Sequence, residues 1–432
     1  MLRILLSLLL SGCYLVILAQ EPVIADSLKT DSAKYGVAPK PLPAGEDISG
    51  HYDISDLARN IFHPGRPKVN KKSSGIIIVP NIAANPSIGA QLGIKAVAGR
   101  KLGSDPNTYL SVAASSASIT TKGIIYFYIS HNIYTPGNKW NFQGSLVAAK
   151  TVTPDYGLGI AEAPAIGNGM DYILNNPGRS PRALNAQFYN FREKVYKEIK
   201  KNLFAGLGVS FDIRRRITER DTALTPYKIY SGRHGFETGH YMANGLLFNI
   251  QYTTRDNQNR AFHGMYADVG LRLNQRWMGS SRSALQANSD IRKYISLSRR
   301  SPEHVVALWN WGAYLISGNI PYLELPGTAK DMSARSGRGY VVQYFKGTQY
   351  NYSEVEYRFP ILRNQFLSGV VFGHLQTAND ESGTRIFEKW QPGGGLGLRV
   401  LFNKTTRTNL CLDYGWGRFG SRGFFLGLNE AF

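Results

Sequence analysis

From Gly75 onward, apolar and polar residues alternate in runs of about ten that are separated by turn residues. In residues 243–256, Phe248 and Ile250 share one face of an extended chain, while Asn249 and Gln251 share the other. A soluble sandwich also alternates, but here Tyr and Trp lie at the ends of the runs, as they do at membrane interfaces. The pattern predicts an all-β fold, a transmembrane antiparallel β-barrel formed by residues 75–432.

The number of runs is about sixteen, and an even number is expected when both ends of a barrel chain lie on the same side. The predicted strand starts are Gly75, Ser87, Thr108, Gly123, Lys139, Asn185, Asn202, Met242, Gly264, Ser283, Glu303, Gln349, Gln365, Pro392, Thr408 and Gly423.

The lengths of the connections support this count. Four connections are long, and they follow the fifth, seventh, eleventh and thirteenth runs: Val152–Leu184, Thr218–Tyr241, Ser317–Thr348 and Gln376–Gln391. Connections after even-numbered runs, such as YTPGN and LRN, are short. Bacterial outer-membrane barrels have short periplasmic turns and long extracellular loops. The parity therefore predicts a barrel in the cell outer membrane, with its N-terminus in the periplasm.

The N-terminal residues predict export. Residues 1–19 have the positive start and apolar stretch of a signal peptide. Two processing routes are open, namely cleavage after Ala19 by the ordinary signal peptidase and lipidation of Cys13 in a lipobox-like segment. The apolar stretch continues past Cys13 to Leu18, which favours ordinary cleavage. Cleavage would leave Cys411 as the lone cysteine, so no internal disulfide is expected.

Residues 20–74 are rich in proline and lack a helix or strand period over most of their length. They are predicted to be a mostly disordered periplasmic arm that precedes the barrel. One segment differs: ISDLARNIF, residues 54–62, is predicted to form a short helix.

The formal net charge is +20. A basic excess favours an anionic partner, although solubility alone explains it equally well. Because the chain leaves the cytoplasm, nucleic acid is not expected as a partner. The expected partners are outer-membrane lipid and the phosphates of lipopolysaccharide, which the outer loops would contact.

The chain ends with GFFLGLNEAF, in which Phe424, Leu426, Leu428 and Phe432 are predicted to share one face. A closing strand with alternate apolar residues and a terminal aromatic is what the outer-membrane insertion machinery recognises. This segment therefore predicts an insertion signal, with an ordinary terminal strand as the alternative.

A basic, glycine-rich loop leads directly into a strand with charges on one face. The loop carries Arg335, Arg338 and Lys346, and the strand carries Glu354 and Glu356. The apolar face of this strand must meet lipid, so its charged face must meet the lumen. Charges inside a barrel need partners. We therefore expect the loop to fold inward between strands 11 and 12, with an arginine pairing with wall carboxylates as a plug and latch.

The segment SGRGYVVQYFKG, followed by YSEVEYRFPI, resembles the arginine-glycine-aromatic loop signature of the bacterial surface antigen family. These are outer-membrane assembly-factor barrels similar to BamA and TamA. Arg338, Gly339 and Tyr340 match the Arg-Gly-Phe/Tyr core, whereas Gly337 departs from the usual Val or Ile. The loop joins the eleventh and twelfth strands, as in that family. The resemblance covers about residues 75–432.

The resemblance implies that Glu354 or Glu356 is the wall acid that pairs with the loop arginine. The family often has a second acid on the next strand, where this sequence has His374 nearby. Members that fold or translocate proteins carry POTRA domains before the barrel, and none is recognisable in residues 20–74. The resemblance thus implies the barrel and latch more strongly than assembly activity.

Three functions follow from these observations. The first is insertion or translocation of outer-membrane proteins or lipids, with a possible periplasmic or barrel protein partner. Its working site would be the seam between the first and last strands, where Pro80 limits hydrogen bonding. The second is a plugged pore or structural barrel without assembly activity. The third, a lumenal hydrolase, is favoured least.

No enzyme, cofactor or metal site is expected from the remaining motifs. The glycine-rich segment 393–397 lacks the Gly-Lys-Ser/Thr of a nucleotide-binding loop. The histidines lack metal-ligand spacing, and no Gly-x-Ser-x-Gly elbow occurs. Ser130 and His131 are adjacent on a strand, so their side chains point in opposite directions and form no dyad.

Overall fold

The structure is a computed structural model that describes residues 50–62, 77–105, 108–160, 169–175, 181–219 and 223–432. The predicted signal peptide at 1–19, with both routes for its processing, lies outside the described residues. So does most of the predicted arm, of which only residues 50–62 are described.

The strands follow one another around a closed antiparallel barrel. From β2 onward each strand pairs with the next one in the sequence, β1 pairs with β3, and β17 closes the barrel against β2. The strands are β1 (Ile77–Pro80), β2 (Ala83–Asn85), β3 (Gly89–Lys101), β4 (Leu110–Thr120), β5 (Ile125–Tyr134), β6 (Trp140–Asp155), β7 (Arg182–Lys200), β8 (Leu203–Glu219), β9 (Tyr241–Thr253), β10 (Gly264–Asn274), β11 (Ala284–Ser296), β12 (Val305–Gly318), β13 (Gln349–Pro360), β14 (Leu367–Ala378), β15 (Gln391–Asn403), β16 (Thr408–Gly417) and β17 (Arg422–Leu428).

The first two strands form one position in the wall. Pro80 of β1 lies opposite Ile94, and Ala83 of β2 lies opposite Gln91, so both strands pair with β3 in one continuous register. The barrel therefore has sixteen wall positions, which confirms the predicted fold class and strand count. Every predicted strand start lies within three residues of an observed one.

The alternation in the sequence corresponds to the two faces of the wall. Phe248 and Ile250 of β9 are exposed on the outside, whereas Gln251 is buried in the lumen. On β10, Val269 is exposed and Asp268 is buried. Because side chains on a strand point alternately to the two faces, one periodic pattern produces both the apolar outer belt and the polar lining.

The four long connections lie at one end of the barrel, after β6, β8, β12 and β14. We call this end the loop rim and the opposite end the turn rim. In their described residues, the long connections contain two short helices, α2 (Gly169–Leu174) and α3 (Pro226–His234). The Thr225 hydroxyl caps the start of α3 by accepting from the Lys228 N–H, and Gly235 ends the helix with φ 67°. Neither helix was predicted from the sequence.

The predicted helix before the barrel is confirmed as α1 (Ile54–Phe62). It is attached to the turn rim: the Tyr52 N–H donates to the Asn364 carbonyl at 3.1 Å, and Lys404 pairs with Asp56. Among the described residues, no helix is long and apolar enough to cross a membrane.

The connection between β12 and β13 enters the barrel and fills much of the lumen. We call residues 319–348 the plug. Its aromatic residues Tyr340, Tyr344 and Phe345 pack in one buried cluster with lumenal residues of the wall. At the loop rim, Tyr322 and Leu323 of the plug pack in a second cluster with residues of α3. Since β12 and β13 are wall positions 11 and 12, the plug is the connection that the sequence singled out.

Candidate functional site

A tight turn in the plug presents two arginines to the barrel wall. The Asp331 carboxylate accepts from the backbone N–H groups of Arg335 and Ser336 at 3.0 and 2.8 Å, and the Asp331 carbonyl accepts from the Ala334 N–H at 3.0 Å. These bonds fold residues 331–336 into one compact unit. Arg338 lies two residues after Ser336 and is buried, with 1% of its surface exposed.

The Arg338 guanidinium lies among three carboxylates from two strands. It contacts Glu354 and Glu356 of β13, and its Nη1 donates to Asp413 Oδ2 of β16 at 2.6 Å. Its Cζ also lies 3.7 Å from the centroid of the Phe372 ring. A planar guanidinium with five donors suits this position, because it bonds to carboxylates on opposite sides at once.

Two further arginines extend this cluster. Arg358 Nη2 lies 2.6 Å from Glu356 Oε2, and Arg399 pairs with both Asp413 and Glu430. We call these seven charged side chains the latch network; its members are Arg338, Glu354, Glu356, Arg358, Arg399, Asp413 and Glu430. Three guanidinium groups face four carboxylates in the lumen, so each charge has an opposite partner, as buried charges require.

Gly339 and Tyr340 bring the plug against the wall. Gly339 has φ 106°, and a Cβ on it would lie 2.9 Å from the backbone of Trp416, so only glycine fits there. The Tyr340 hydroxyl donates to the Pro392 carbonyl at 2.5 Å and accepts from the Arg418 N–H at 2.8 Å. On the wall side, a Cβ on Gly415 would lie 2.7 Å from the Gly339 nitrogen. The plug backbone at Gly339 therefore packs directly against the backbone of β16.

The plug has other ionic contacts with the wall. Lys346 Nζ lies 3.1 Å from Asp155 Oδ1 of β6, and both side chains are buried. Glu324 Oε1 accepts from Arg214 Nε of β8 at 2.5 Å. The plug is therefore tied to strands on several sides of the lumen, and displacing it requires several buried ion pairs to break.

The structure brings together Arg338, Gly339, Tyr340, Glu354 and Glu356, the residues singled out from the sequence. It also adds Asp413 as a third acid, which the sequence analysis did not name as a partner. The alternation of residues 408–417 puts Asp413 on the polar face of its strand, but its proximity to Arg338 depends on the path of the plug. His374 takes a different role, because its Nε2 donates to the Arg338 carbonyl at 2.8 Å.

The seam between the last and first strands is the weakest junction in the wall. Among the described residues, Leu426 opposite Ala84 is the one register pair that joins β17 to β2. On the other side of β17, pairing with β16 runs from Arg422 to Leu428.

Pro80 lies on the seam side of its strand. The Asn81 N–H donates to the Gly93 carbonyl at 2.8 Å, so odd-numbered residues of this strand bond to β3 and even-numbered ones point to the seam. Proline has no N–H, and the edge of the first strand therefore lacks one donor at this position.

The predicted terminal signal residues divide between two faces. Phe424 is 60% exposed on the outside, and Leu426 and Leu428 follow it on the same strand. The prediction that Phe432 shares their face is wrong. The strand ends at Leu428, and Asn429 has φ 67°, so the alternation stops there and the chain turns inward.

Phe432 instead packs in the lumen. It is 6% exposed, and its ring stacks on Trp309 with 5.0 Å between ring centroids. Its main-chain oxygen accepts from Arg358 Nη2 at 3.0 Å. Because Arg358 also contacts Glu356, the end of the chain is joined to the latch network.

Comparisons with known proteins concern the fold. No family model and no curated protein matches this sequence. Among solved structures, BamA from Haemophilus ducreyi lacking POTRA domains 1–3 matches with a TM-score of 0.55 and 12% identity, over 83% of this chain and 71% of that one. The barrel has the BamA and CdiB fold.

CdiB from Escherichia coli matches with a TM-score of 0.54 and 8% identity, over 84% of this chain. This chain spans 63% of the length of that CdiB chain. The fold thus matches outer-membrane β-barrels of Gram-negative bacteria. Among the described residues, no group of three or more His, Cys, Asp or Glu side chains is arranged to hold a metal ion.

Proposed function

We propose that this chain is an outer-membrane barrel of the bacterial surface antigen family that aids the insertion or translocation of outer-membrane proteins or lipids. The observation that carries this proposal is the seam, where one register pair joins β17 to the first wall position. Unpaired strand edges accept further strands, because their N–H and C=O groups need partners. An incoming strand or lipid would use this junction, since it can open with the least loss of hydrogen bonds.

The latch network supports the same function. Holding the plug by Arg338 keeps the lumen filled while the seam is closed. The residues of the family signature, Arg338, Gly339 and Tyr340, then act as the loop latch, with Glu354, Glu356 and Asp413 as its acidic partners. In this proposal the long loops are extracellular and contact lipopolysaccharide, and α1 and the N-terminal arm are periplasmic.

A disulfide across the seam tests the proposal. In a double Ala84→Cys, Leu426→Cys variant, oxidation would lock the register pair at the seam. The matched control is Leu412→Cys with Leu426→Cys, which locks two residues already paired between β16 and β17. We expect the seam disulfide to stop assembly of outer-membrane barrels until it is reduced, and the control to leave assembly unchanged. Normal assembly with a fully formed seam disulfide would refute the function.

The proposed partner has its own test. Mass spectrometry of the protein purified gently from native outer membranes should recover a stoichiometric periplasmic protein or other barrels as clients. Recovery of the barrel with lipopolysaccharide alone would count against a partner.

A plugged pore or structural barrel is the second candidate. The observation that favours it is the lumen itself, which the plug fills with buried aromatic residues and ion pairs. Ion conductance across planar bilayers would separate the two functions. A barrel that conducts after Arg338→Ala, and whose seam disulfide has no effect on assembly, would be a plugged pore.

A further inference from the structure

The free edge of the closing strand is occupied by an arginine from the plug. Arg335 Nη2 donates to the Leu428 carbonyl oxygen at 3.0 Å. The direction of this carbonyl follows from the ladder. The Asn429 N–H donates to the Asn409 carbonyl at 2.8 Å, so odd-numbered residues of the last strand bond to β16. Leu428, an even-numbered residue, therefore points its carbonyl away from β16 and into the seam.

The Arg335 guanidinium packs directly against the backbone of Gly427, next to the Leu428 carbonyl. A Cβ on Gly427 would lie 2.3 Å from Arg335 Nη2, and its three nearest atoms would all belong to the Arg335 guanidinium. Gly427 lies opposite Cys411, which is buried on the lumenal face, so Arg335 reaches the edge from inside the barrel. The missing side chain at Gly427 makes room for this approach.

Among the described residues, the opposite edge of the seam forms no register pair with Leu428. The pair Leu426–Ala84 sets the register, and continuing it by two residues places Ile82 opposite Leu428. Ile82 lies in the break between β1 and β2. Continuing by two more residues places Pro80, which has no N–H, opposite Glu430 beyond the end of β17. The seam end near Leu428 is thus where the edge of β17 most needs a donor from elsewhere.

Arg335 and the latch residue Arg338 belong to one short segment. The Asp331 carboxylate holds the backbone of Arg335 and Ser336, and Arg338 is two residues further along. A backbone movement of the plug that withdraws Arg338 from Glu354, Glu356 and Asp413 would therefore move this turn as well. The same movement would take Arg335 away from the Leu428 carbonyl.

We propose that Arg335 caps the edge of β17 while the plug is latched, and that release of the latch uncovers this edge for an incoming extended strand. This cap rests on the proposed function, in which it regulates access of an incoming strand to the seam. The cap is a charge-assisted hydrogen bond, which is stronger than the neutral backbone bond an incoming strand would form in its place. An incoming strand therefore competes poorly with the cap until the plug moves.

The test measures access to the edge directly. The full-length protein in detergent is mixed with a biotinylated peptide of the sequence GFFLGLNEAF that carries a photoreactive residue, and mass spectrometry quantifies cross-links to residues 422–428. We expect Arg335→Ala to raise this cross-linking roughly fivefold, because the competing charged donor is gone. Arg363→Ala, at an exposed turn-rim arginine, is the matched control and should behave as wild type.

Two further variants keep the test decisive. Gly427→Ala retains Arg335 but pushes its guanidinium away, and it should raise cross-linking like Arg335→Ala. Arg338→Ala should raise it as well, because the turn loses its latch. Folded barrel is verified for each variant by its heat-dependent migration in gels. Wild-type cross-linking in both Arg335→Ala and Gly427→Ala would overturn the cap, and wild-type cross-linking in Arg338→Ala would overturn its coupling to the latch.

The outcome is separable from that of the proposed function. If the cap variants raise cross-linking while a seam disulfide leaves assembly normal, the cap stands and the proposed function falls. If cross-linking is unchanged while the seam disulfide stops assembly, the proposed function stands and the cap falls.

Discussion

Arg338 and Asp413 are 75 residues apart in the sequence, yet Arg338 Nη1 donates to Asp413 Oδ2 at 2.6 Å, with both side chains buried in the lumen. This bond links the plug to β16, the strand next to the closing strand. Asp413 also contacts Arg399, which pairs with Glu430 beyond the end of β17. A chain of ion pairs thus runs from the plug to the segment that follows the closing strand.

Replacing Arg338 should destabilise the plug. Arg338→Ala would leave Glu354, Glu356 and Asp413 without their shared partner, and breaking a buried ion pair costs about 3–5 kcal/mol. The measurement is the denaturant midpoint of the folded barrel, together with protease cleavage within residues 319–348. Arg338→Lys should lie between wild type and Ala, because an ammonium group bonds to fewer of the carboxylates at once. Equal resistance of Arg338→Ala and wild type would contradict the latch.

Gly339 allows a test that separates close packing from backbone strain. Gly339→Ala places a Cβ 2.9 Å from the Trp416 backbone at φ 106°, whereas Gly383→Ala has a similar φ of 111° with nothing within 4 Å. Strain at such angles costs about 1–3 kcal/mol in both variants. We expect Gly339→Ala to lose clearly more stability than Gly383→Ala in thermal unfolding, and to expose the plug to protease. Equal losses would mean that contact with Trp416 is unimportant.

The barrel could be predicted because the two-residue alternation of apolar and polar side chains determines the two faces of its wall. A residue such as Ile250 faces lipid and Gln251 faces the lumen for the same reason, namely that strand side chains alternate. The long connections follow odd-numbered runs, and this pattern alone predicts that they all lie at the same end of the barrel. Local pattern was sufficient wherever neighbouring strands are also neighbours in the sequence.

The interior of the barrel was less predictable because it depends on contacts across the lumen. Alternation placed Asp413 on the polar face, but it carried no information about which plug residue would reach it. Phe432 was placed on the wrong face because the period was extended past Leu428, where the positive φ of Asn429 ends it. The hydrogen bond from Arg335 to the Leu428 carbonyl could not be predicted either, since it joins a loop side chain to a backbone carbonyl 93 residues away.

The loop rim should loosen as pH rises. His234 of α3 lies 2.6 Å from Glu381 in the connection after β14, and this hydrogen bond raises the pKa of His234 above its usual value. A raised pKa means that the bond to the protonated imidazole stabilises the fold fully below about pH 6.5 and is lost as pH rises through the raised pKa. Arg233 also pairs with Glu381 and persists at all these pH values, so the loss is partial.

Hydrogen exchange of α3, corrected for the intrinsic effect of pH, measures this loosening. Protection of residues 226–234 should be greatest below about pH 6.5 in the wild type and should fall as the pH rises through the raised pKa of His234. His234→Gln is uncharged throughout and should show a flat profile. The Asn319 Oδ1 contact on the other ring nitrogen also favours the protonated imidazole, so this variant removes both pH-dependent bonds. A pH-dependent loss of protection that persists in His234→Gln would assign the effect to other groups.

Phe424 and Phe432 should behave differently when they are replaced, although both are aromatic residues of the terminal segment. Phe432→Ala removes a ring stacked on Trp309 in the lumen, and the cavity left by a buried phenylalanine costs about 3–5 kcal/mol. Phe424→Ala removes an exposed ring from the lipid face, where detergent or lipid replaces the contact. We therefore expect a large fall in the thermal stability of purified barrel for Phe432→Ala and a small one for Phe424→Ala. If both residues instead serve chiefly as an insertion signal, both variants would reduce the amount of barrel in the outer membrane, while purified protein of each would unfold at the wild-type temperature.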